Sequence, residues 1–353
     1  MVWILAGPKA GDNAQLRTLA TALAEGVEIR VLEKPLRFRA FELLLHLPSR
    51  PTRAALTRAT RAGLVPPWPD LVLTAGRRNE LVARWVRNAS GGRTRIVQLG
   101  RPWSRPTRFD LVVSTPQYQV PAAANVLTIP LPLQADIQPR LAQAARQWQA
   151  RLIGLQTPRV ALLLGGDSGP FVFTPALAER MAQQLNDFVA TLGGSLMITT
   201  SPRTPEAFTR RLRELLTVPV CTFEWRSDAS ENPYWGFLAL AEQIVVTAES
   251  VSMISEALAT GKPTYLAPVT QPGTRPWWLR ASSYRWKPLT HRLAMAVAPR
   301  RFRRDIGRIH AALVADGRVA WLGDGPPHTG TVEDASLHEV VQRVRQLLPS
   351  RRG

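Results

Sequence analysis

Short apolar runs separated by helix-length amphipathic stretches recur along this chain, and that alternation leaves few folds open. In the first half the runs are VWILAG (2–7), EIRVLE (28–33), DLVLTAG (70–76), RIVQLG (95–100) and DLVVST (110–115). Helical patterns lie between them, near 13–24, over 38–62 and near 79–88. The second half repeats the scheme with RVALLLGGDSG (159–169), SLMITTS (195–201), VPVCTF (218–223) and VVTAESVSMISEALATGKPTYLAP (245–268). Its helical patterns fall near 175–192, 204–216 and 233–241. Strands that alternate with helices predict parallel sheets covered by crossover helices, the α/β class.

A chain of 353 residues is long enough for two such units. A proline-interrupted stretch, IPLPLQADIQPR (129–140), and a helix running to about Leu155 mark the division. The expected organisation is a Rossmann-like domain over 1–136, a linker helix over 137–157, a second Rossmann-like domain over 158–330, and a closing helix with a basic tail over 331–353. Open parallel sheets take ligands beyond the C-terminal ends of their strands, so two of them facing one another predict a central cleft between the domains.

The formal net charge is +19, and nearly all the cations are arginine, with lysine only at positions 9, 34, 262 and 287. Such an excess suits anionic partners: phosphate-bearing substrates, an anionic membrane surface or nucleic acid. No nucleic-acid-binding pattern is visible and the basic residues are spread through α/β units, so a nucleic-acid partner is not expected. Residues 257–304 contain no Asp or Glu while carrying ten cations, from Lys262 to Arg304, interleaved with Trp277, Trp278, Tyr284, Trp286 and Phe302. That mixture fits either a solvated basic face above buried tryptophans or a patch for an anionic membrane surface. One cysteine, Cys221, excludes an internal disulfide and a cysteine-rich metal site, and points to a reducing compartment. No apolar run approaches the roughly 18 residues of a membrane span, and MVWILAGPKAGD is expected to be a first strand and loop, not a leader. The expected location is cytoplasmic, with peripheral contact at the inner face of the cytoplasmic membrane.

Three loops after strand ends could carry chemistry. GPKAGDNAQ (7–15) places Lys9, Gly11, Asp12 and Asn13 before a helix, without the spacing of a Walker A or dinucleotide loop. LGGDSGPFVF (164–173) brings Gly165, Gly166 and Gly169 together with Ser168, so that backbone amides could approach a phosphate. Ser168 is not a nucleophile elbow, because Gly169 follows it directly. In the third, Ser250, Ser252, Met253 and Glu256 sit at a strand–turn–helix junction that ends at Gly261 and Pro263. Ser252 would serve as a helix N-cap, which leaves Glu256, four residues on and on the same face, to be explained. No HxH, CxxC or DxD pattern argues for a metal, and no cofactor is expected. Four of the five histidines, His46, His291, His310 and His328, lack a visible carboxylate or nucleophile partner in sequence.

Ser255-Glu256-Ala257, Gly261-x-Pro263 and the strand ending in Ala267-Pro268 resemble the donor-nucleotide loop of GT-B glycosyltransferases, which have two Rossmann-like domains. The resemblance implies that Glu256 accepts hydrogen bonds from the ribose hydroxyls while helix N-terminal amides face the diphosphate. A narrower likeness covers most of the chain. GPKAGDNAQ, AGRRNE (75–80), VQLGRPW with FDLVV (97–113), LLGGDSGPF, the segment 230–263 and the segment 300–323 resemble, in order, the blocks of the "elongated mitochondria" family of mitochondrial-fission proteins. That family commonly has histidine where this chain has Asp12 and aspartate where it has Glu249, and the stretch from Pro268 to Arg300 is longer here. Its plant member implies recruitment of a protein partner at the mitochondrial outer membrane.

Together these features predict a metal-independent glycosyltransferase-like protein. It would bind a nucleoside-diphospho-sugar in the cleft and transfer the sugar to a membrane-associated or envelope acceptor. Asp12 is the expected base, the alternative being that it caps the following helix. Gly165, Gly166, Ser168, Ser250, Ser252, Met253 and Glu256 would hold the donor nucleotide, with Lys9, Gly11, Asn13, Arg77 and Asn232 as further cleft residues. The competing expectation is a non-catalytic scaffold of the same fold that recruits a protein partner at a membrane surface.

Overall fold

A computed structural model describes residues 1–39, 51–168, 171–229, 231–269, 304–328 and 336–348. Two compact units divide the chain: the first holds Met1–Ala135 together with Arg304, Asp305 and the C-terminal helix, the second the stretch from Asp136 onward and residues 306–328.

In the first unit, β1 (Val2–Ala6), β2 (Val31–Pro35), β3 (Leu71–Ala75), β4 (Arg95–Leu99), β5 (Leu111–Ser114) and β6 (Val126–Thr128) form one parallel sheet in the order β2-β1-β3-β4-β5-β6. β1 and β3 are buried along their whole length, as strands covered on both faces must be. Successive side chains point to opposite faces, so Val2 and Ile4 pack with Leu16, Leu19 and Leu23 of α1 (Ala10–Ala24), whereas Trp3 and Leu5 join a second core. Past the short α2 (Arg58–Ala62), α3 (Arg77–Ala89) supplies Val82 and Val86 to that second core.

The second unit begins with α4 (Gln138–Trp148) and continues β7 (Arg159–Leu163), α5 (Pro175–Leu192), β8 (Ser195–Thr199), α6 (Glu206–Leu215), β9 (Val220–Phe223) and α7 (Tyr234–Leu240). β10 (Gln243–Thr247), α8 (Val251–Leu258), β11 (Thr264–Ala267), α9 (Gly307–Ala315) and β12 (Ala320–Trp321) complete it. Its parallel sheet runs β12-β11-β10-β7-β8-β9, the strand order of dinucleotide-binding folds. The chain is therefore α/β throughout, with two doubly wound sheets. α10 (Ser336–Arg345) returns to the first unit, where Val340, Val341 and Val344 complete the core over α1.

Several boundaries differ from expectation. β2 starts at Val31, and of the helical stretch expected over 38–62 only α2 is helical among the described residues, with 40–50 outside them. The expected strand 159–169 ends at Leu163 and continues as loop. β6 and β12, three and two residues long, are too short to show periodicity and were not anticipated. α8 takes Ser250, not Ser252, as its N-cap, and Ser252 lies within the first turn.

Candidate functional site

β7 and β10 are neighbours in the second sheet, yet the chain leaves β7 toward β8 and β10 toward β11, in opposite directions. Such a switch point opens a crevice at the strand ends. Here the crevice is occupied by a side chain. Glu249 is 2% exposed, and its Oε1 accepts the Gly166 amide at 2.7 Å. The Gly165 amide donates to Thr247 Oγ1 at 2.9 Å. A Cβ on Gly165 would lie 1.8 Å from Glu249 Oε1; one on Gly166, whose φ is +144°, would lie 2.3 Å from the Arg203 carbonyl group. The next two amides are also donated within the protein, Asp167 to Arg203 O and Ser168 to Phe171 O, each at 3.1 Å.

The amides of this loop are therefore engaged inside the protein. Gly165 and Gly166 are glycines because Glu249 and the Arg203 backbone press against them, and the four amides from 165 to 168 are directed to internal acceptors. Ser168 remains half-buried beside them, and Gly169 lies outside the described residues. Glu249 Oε2 has no hydrogen-bond partner among the described residues. Burial pushes the carboxyl up to about 7, against the opposing pull of the Gly166 amide and the Arg203 charge.

The accessible side of this turn is α8. Val251, Ile254, Ser255 and Ala257 face the core, whereas Ser252 is exposed and Met253 and Glu256 are half-buried. Positions 252, 253 and 256 share one face by helical spacing. The Ser250 side chain, itself buried, makes no capping bond, so the first-turn amides of Val251, Ser252 and Met253 carry the free end of the helix. Glu256 is fixed from α7: the Tyr234 hydroxyl donates to its Oε2. Burial raises the Glu256 pKa, opposed by the Tyr234 bond and by Arg140 of α4, and burial raises Tyr234 well above its ordinary value. Arg140 also stacks 4.1 Å from the Trp235 ring centroid. Asn232 accepts the Tyr234 amide at 2.9 Å and thereby starts α7, which makes it a fastener of this cluster. Beneath the turn, His310 Nε2 lies 2.6 Å from Ala248 O, so that nitrogen carries the proton.

Tyr234 and Arg140 were missed in the sequence. Nothing about a tyrosine or an arginine in an amphipathic helix marks it as a partner of a carboxylate more than twenty residues or a domain-length away.

The strand ends of the first unit hold the other predicted residues. Asn13 locks the Gly7 loop, accepting the Gly7 amide at 2.9 Å and donating to Gly7 O at 2.8 Å. Asp12 does not cap α1, whose N-cap is Lys9; it lies in the first turn. It lines a small recess with Ser114, Thr115, Gln117 and Tyr118. Burial raises its pKa, while Lys9 and Arg304 pull it back. Gly11 is exposed with open space around its Cα, and Arg77 stacks 4.5 Å from the Trp103 centroid.

Of the cations in the acid-free run, Lys262 and Arg304 are described. Lys262 Nζ donates to Leu238 O and Ala239 O at the C-terminus of α7, and burial pushes its pKa down to about 8. Arg304 Nε donates to Gln117 Oε1 at 2.9 Å. Residues 270–303, with their tryptophans, lie outside the described residues. Among the described residues no cluster of His, Cys, Asp and Glu could hold a metal ion, and no helix is long and apolar enough to cross a membrane.

A model of the family "Mitochondrial fission ELM1" matches residues 10–340, and the chain belongs to that family. It is 29% identical over 220 residues to the mitochondrial fission protein ELM1 of Arabidopsis thaliana, a match covering 56% of this chain and 51% of that protein, about half its length. An uncharacterized protein of Rickettsia prowazekii (strain Madrid E) is 23% identical over 297 residues, covering 75% of this chain and 82% of its own. Among solved structures, a glycosyltransferase from Rickettsia africae ESF-5 aligns over 99% of this chain and 98% of its own at 9% identity, with a TM-score of 0.48.

Proposed function

We propose that this ELM1-family chain binds a nucleoside-diphospho-sugar at the β10–α8 turn and transfers the sugar to a membrane-associated or envelope acceptor. One observation carries the proposal: the uncapped N-terminus of α8 and the Glu256 carboxylate lie on one accessible helix face, with Glu256 held in place by Tyr234. Free helix amides suit a diphosphate. A carboxylate about one and a half turns along suits a ribose diol, whose two hydroxyls donate where Glu256 accepts. Ser252 and Met253 would flank the diphosphate, and Ser250, Gly165 and Gly166 would shape the turn without touching it. Asp12 would act as the base that takes the acceptor hydroxyl's proton, in the first unit, while the amides of α8 stabilise the departing diphosphate in the second.

Calorimetric titration with a panel of nucleoside diphosphates, followed by turnover of a pooled set of nucleotide sugars, tests the proposal. Binding by at least one member that weakens about ten- to a hundredfold in Glu256→Ala supports the site. Absence of binding across the panel removes it.

A second reading is favoured by the charge: a scaffold that recruits a protein partner at an anionic membrane, using the acid-free segment 257–304. Nucleotide binding without turnover, together with salt-sensitive sedimentation on anionic vesicles, would select it over transfer.

A further inference from the structure

A cavity of about 650 Å³, within the size range of small-molecule sites, lies at the C-terminal ends of β1 and β2 in the first unit. Ligands of open parallel sheets sit at such ends. One wall is the chain that follows β2, and its backbone is pinned. The Leu36 amide donates to Ala6 O at 2.8 Å, the Arg39 amide to Ala55 O at 2.9 Å and the Thr57 amide to Arg37 O at 2.9 Å, around an antiparallel bridge between Phe38 and Leu56. Extended backbone alternates its side chains, so Arg37 and Arg39 share one face about 7 Å apart along the chain. Phe38, between them, packs against the core of Trp3 and Leu36. Both arginines line the cavity.

Arg37 and Arg39 are exposed, and neither side chain makes an ion pair or hydrogen bond among the described residues. Among those residues a single carboxylate, Glu33, lines the cavity. Arg17 of α1 takes it with both prongs of its guanidinium, Nε to Oε2 at 2.8 Å and Nη2 to Oε1 at 2.7 Å. That fork holds the Glu33 carboxyl below its ordinary pKa, so the acid is ionised and already paired. With Arg17 and Glu33 cancelling, the charges of Arg37 and Arg39 stay unmatched. Arg78, 5.8 Å from the Phe38 ring centroid, has partners of its own. The segment pinned to the arginines supplies no counter-charge either: residues 51–62 carry Arg53, Arg58 and Arg61 and no Asp or Glu. Like charges held side by side repel, and an anion between them relieves the repulsion.

We propose that this cavity binds a phosphate-bearing ligand, with the guanidinium groups of Arg37 and Arg39 on the phosphate and the body of the ligand against Pro8 and Phe38. A phosphomonoester carries about −1.5 to −2 charges near neutral pH, which matches two cations, and each guanidinium fork suits a pair of its oxygens. This binding does not depend on the proposed sugar transfer, whose nucleotide site lies in the second unit. The phosphate belongs either to a soluble metabolite or to a lipid headgroup, and the chemistry that recognises it is the same.

Calorimetry with glucose 6-phosphate, and with glucose as the uncharged control, addresses the soluble source. Co-sedimentation with phosphatidylcholine vesicles, with and without phosphatidic acid, addresses the lipid source. Binding of at least one phosphate probe should weaken about tenfold or more in Arg37→Gln and in Arg39→Gln, and should be partly kept in Arg37→Lys and Arg39→Lys. Neither arginine side chain bonds another described residue, so thermal stability should hold in all four variants. Glu33→Gln removes the cavity's carboxylate and frees the Arg17 fork, so binding should tighten about two- to fivefold, a gain that a folding defect does not produce. Affinity should be unchanged in Arg210→Gln, which removes an exposed cation of the second unit, and in Glu256→Ala, which addresses only the nucleotide. Failure of both phosphate probes to bind, equal binding of glucose, or losses in Arg37→Gln and Arg39→Gln no greater than in Arg210→Gln overturns the proposal. Weaker binding in Glu33→Gln overturns it as well, and in every case nucleoside-diphosphate binding stands as a separate result.

Discussion

Glu249 Oε1 accepts the Gly166 amide at 2.7 Å, and this bond ties the β10 turn to the β7 loop across the switch point of the second sheet. Burial pushes this carboxyl from 4.5 up to about 7. Between those values the folded chain keeps a proton that the unfolded chain has released. Stability contributed here is therefore lost as pH rises through that window, and the whole penalty, about 3 kcal/mol, is present above it. Glu249→Gln keeps an acceptor for Gly166 and cannot ionise. Urea unfolding should show the variant close to wild type at about pH 5 and more stable at about pH 8. Parallel stability profiles for the two proteins would contradict the shift.

The same contact predicts coupling between Gly165 and Glu249. A methyl group on Gly165 falls 1.8 Å from Glu249 Oε1, so Gly165→Ala should cost about 2–4 kcal/mol. In a Glu249→Ala background the cost should shrink by at least about 1 kcal/mol, with the Ser250 Cβ at 3.1 Å setting what remains. Gly166→Ala meets the Arg203 backbone instead and should gain no relief from Glu249→Ala. Additive free energies for the Gly165 pair would show that the loop moves away from the carboxylate.

The alternation of apolar runs was enough to read both sheets, because strands buried on both faces leave continuous apolar segments such as VWILA and LVLTA. Ser252 and Glu256 were legible as one helix face for the same reason, helical periodicity being a local property. What escaped was non-local. The three glycines of LGGDSGP look in sequence like a phosphate loop, and only the tertiary contact with Glu249 and Arg203 shows what Gly165 and Gly166 accommodate. Arg304 lies almost three hundred residues from Asp12 in sequence, so its place in the recess could not be read from spacing.

Tyr234 positions Glu256, and its removal should be felt at the nucleotide more than in the fold. Tyr234→Phe leaves a half-buried carboxylate without its hydroxyl donor and raises its pKa further. Nucleoside-diphosphate affinity should fall about tenfold, and more at mildly acidic pH, where protonated Glu256 loses acceptor capacity. Stability should change by about 1 kcal/mol. Titrations of Tyr234→Phe, Glu256→Ala and the double variant should give less than additive losses. Fully additive losses would mean that the tyrosine acts independently of Glu256.

Under the proposed transfer, Asp12 would separate catalysis from binding. It lies in the first turn of α1 and does not cap it, so Asp12→Asn preserves shape and should change stability little. If the carboxylate is the base, turnover of a nucleotide sugar should fall by about 10²–10⁴ while donor affinity measured by calorimetry stays within about twofold. Burial raises its pKa, so the acidic limb of the pH–rate profile should lie above the ordinary aspartate value. Lys9 lowers that pKa by its charge, so Lys9→Gln should move the limb to still higher pH. A limb unmoved by Lys9→Gln, or turnover that survives in Asp12→Asn, would assign the proton transfer to another group.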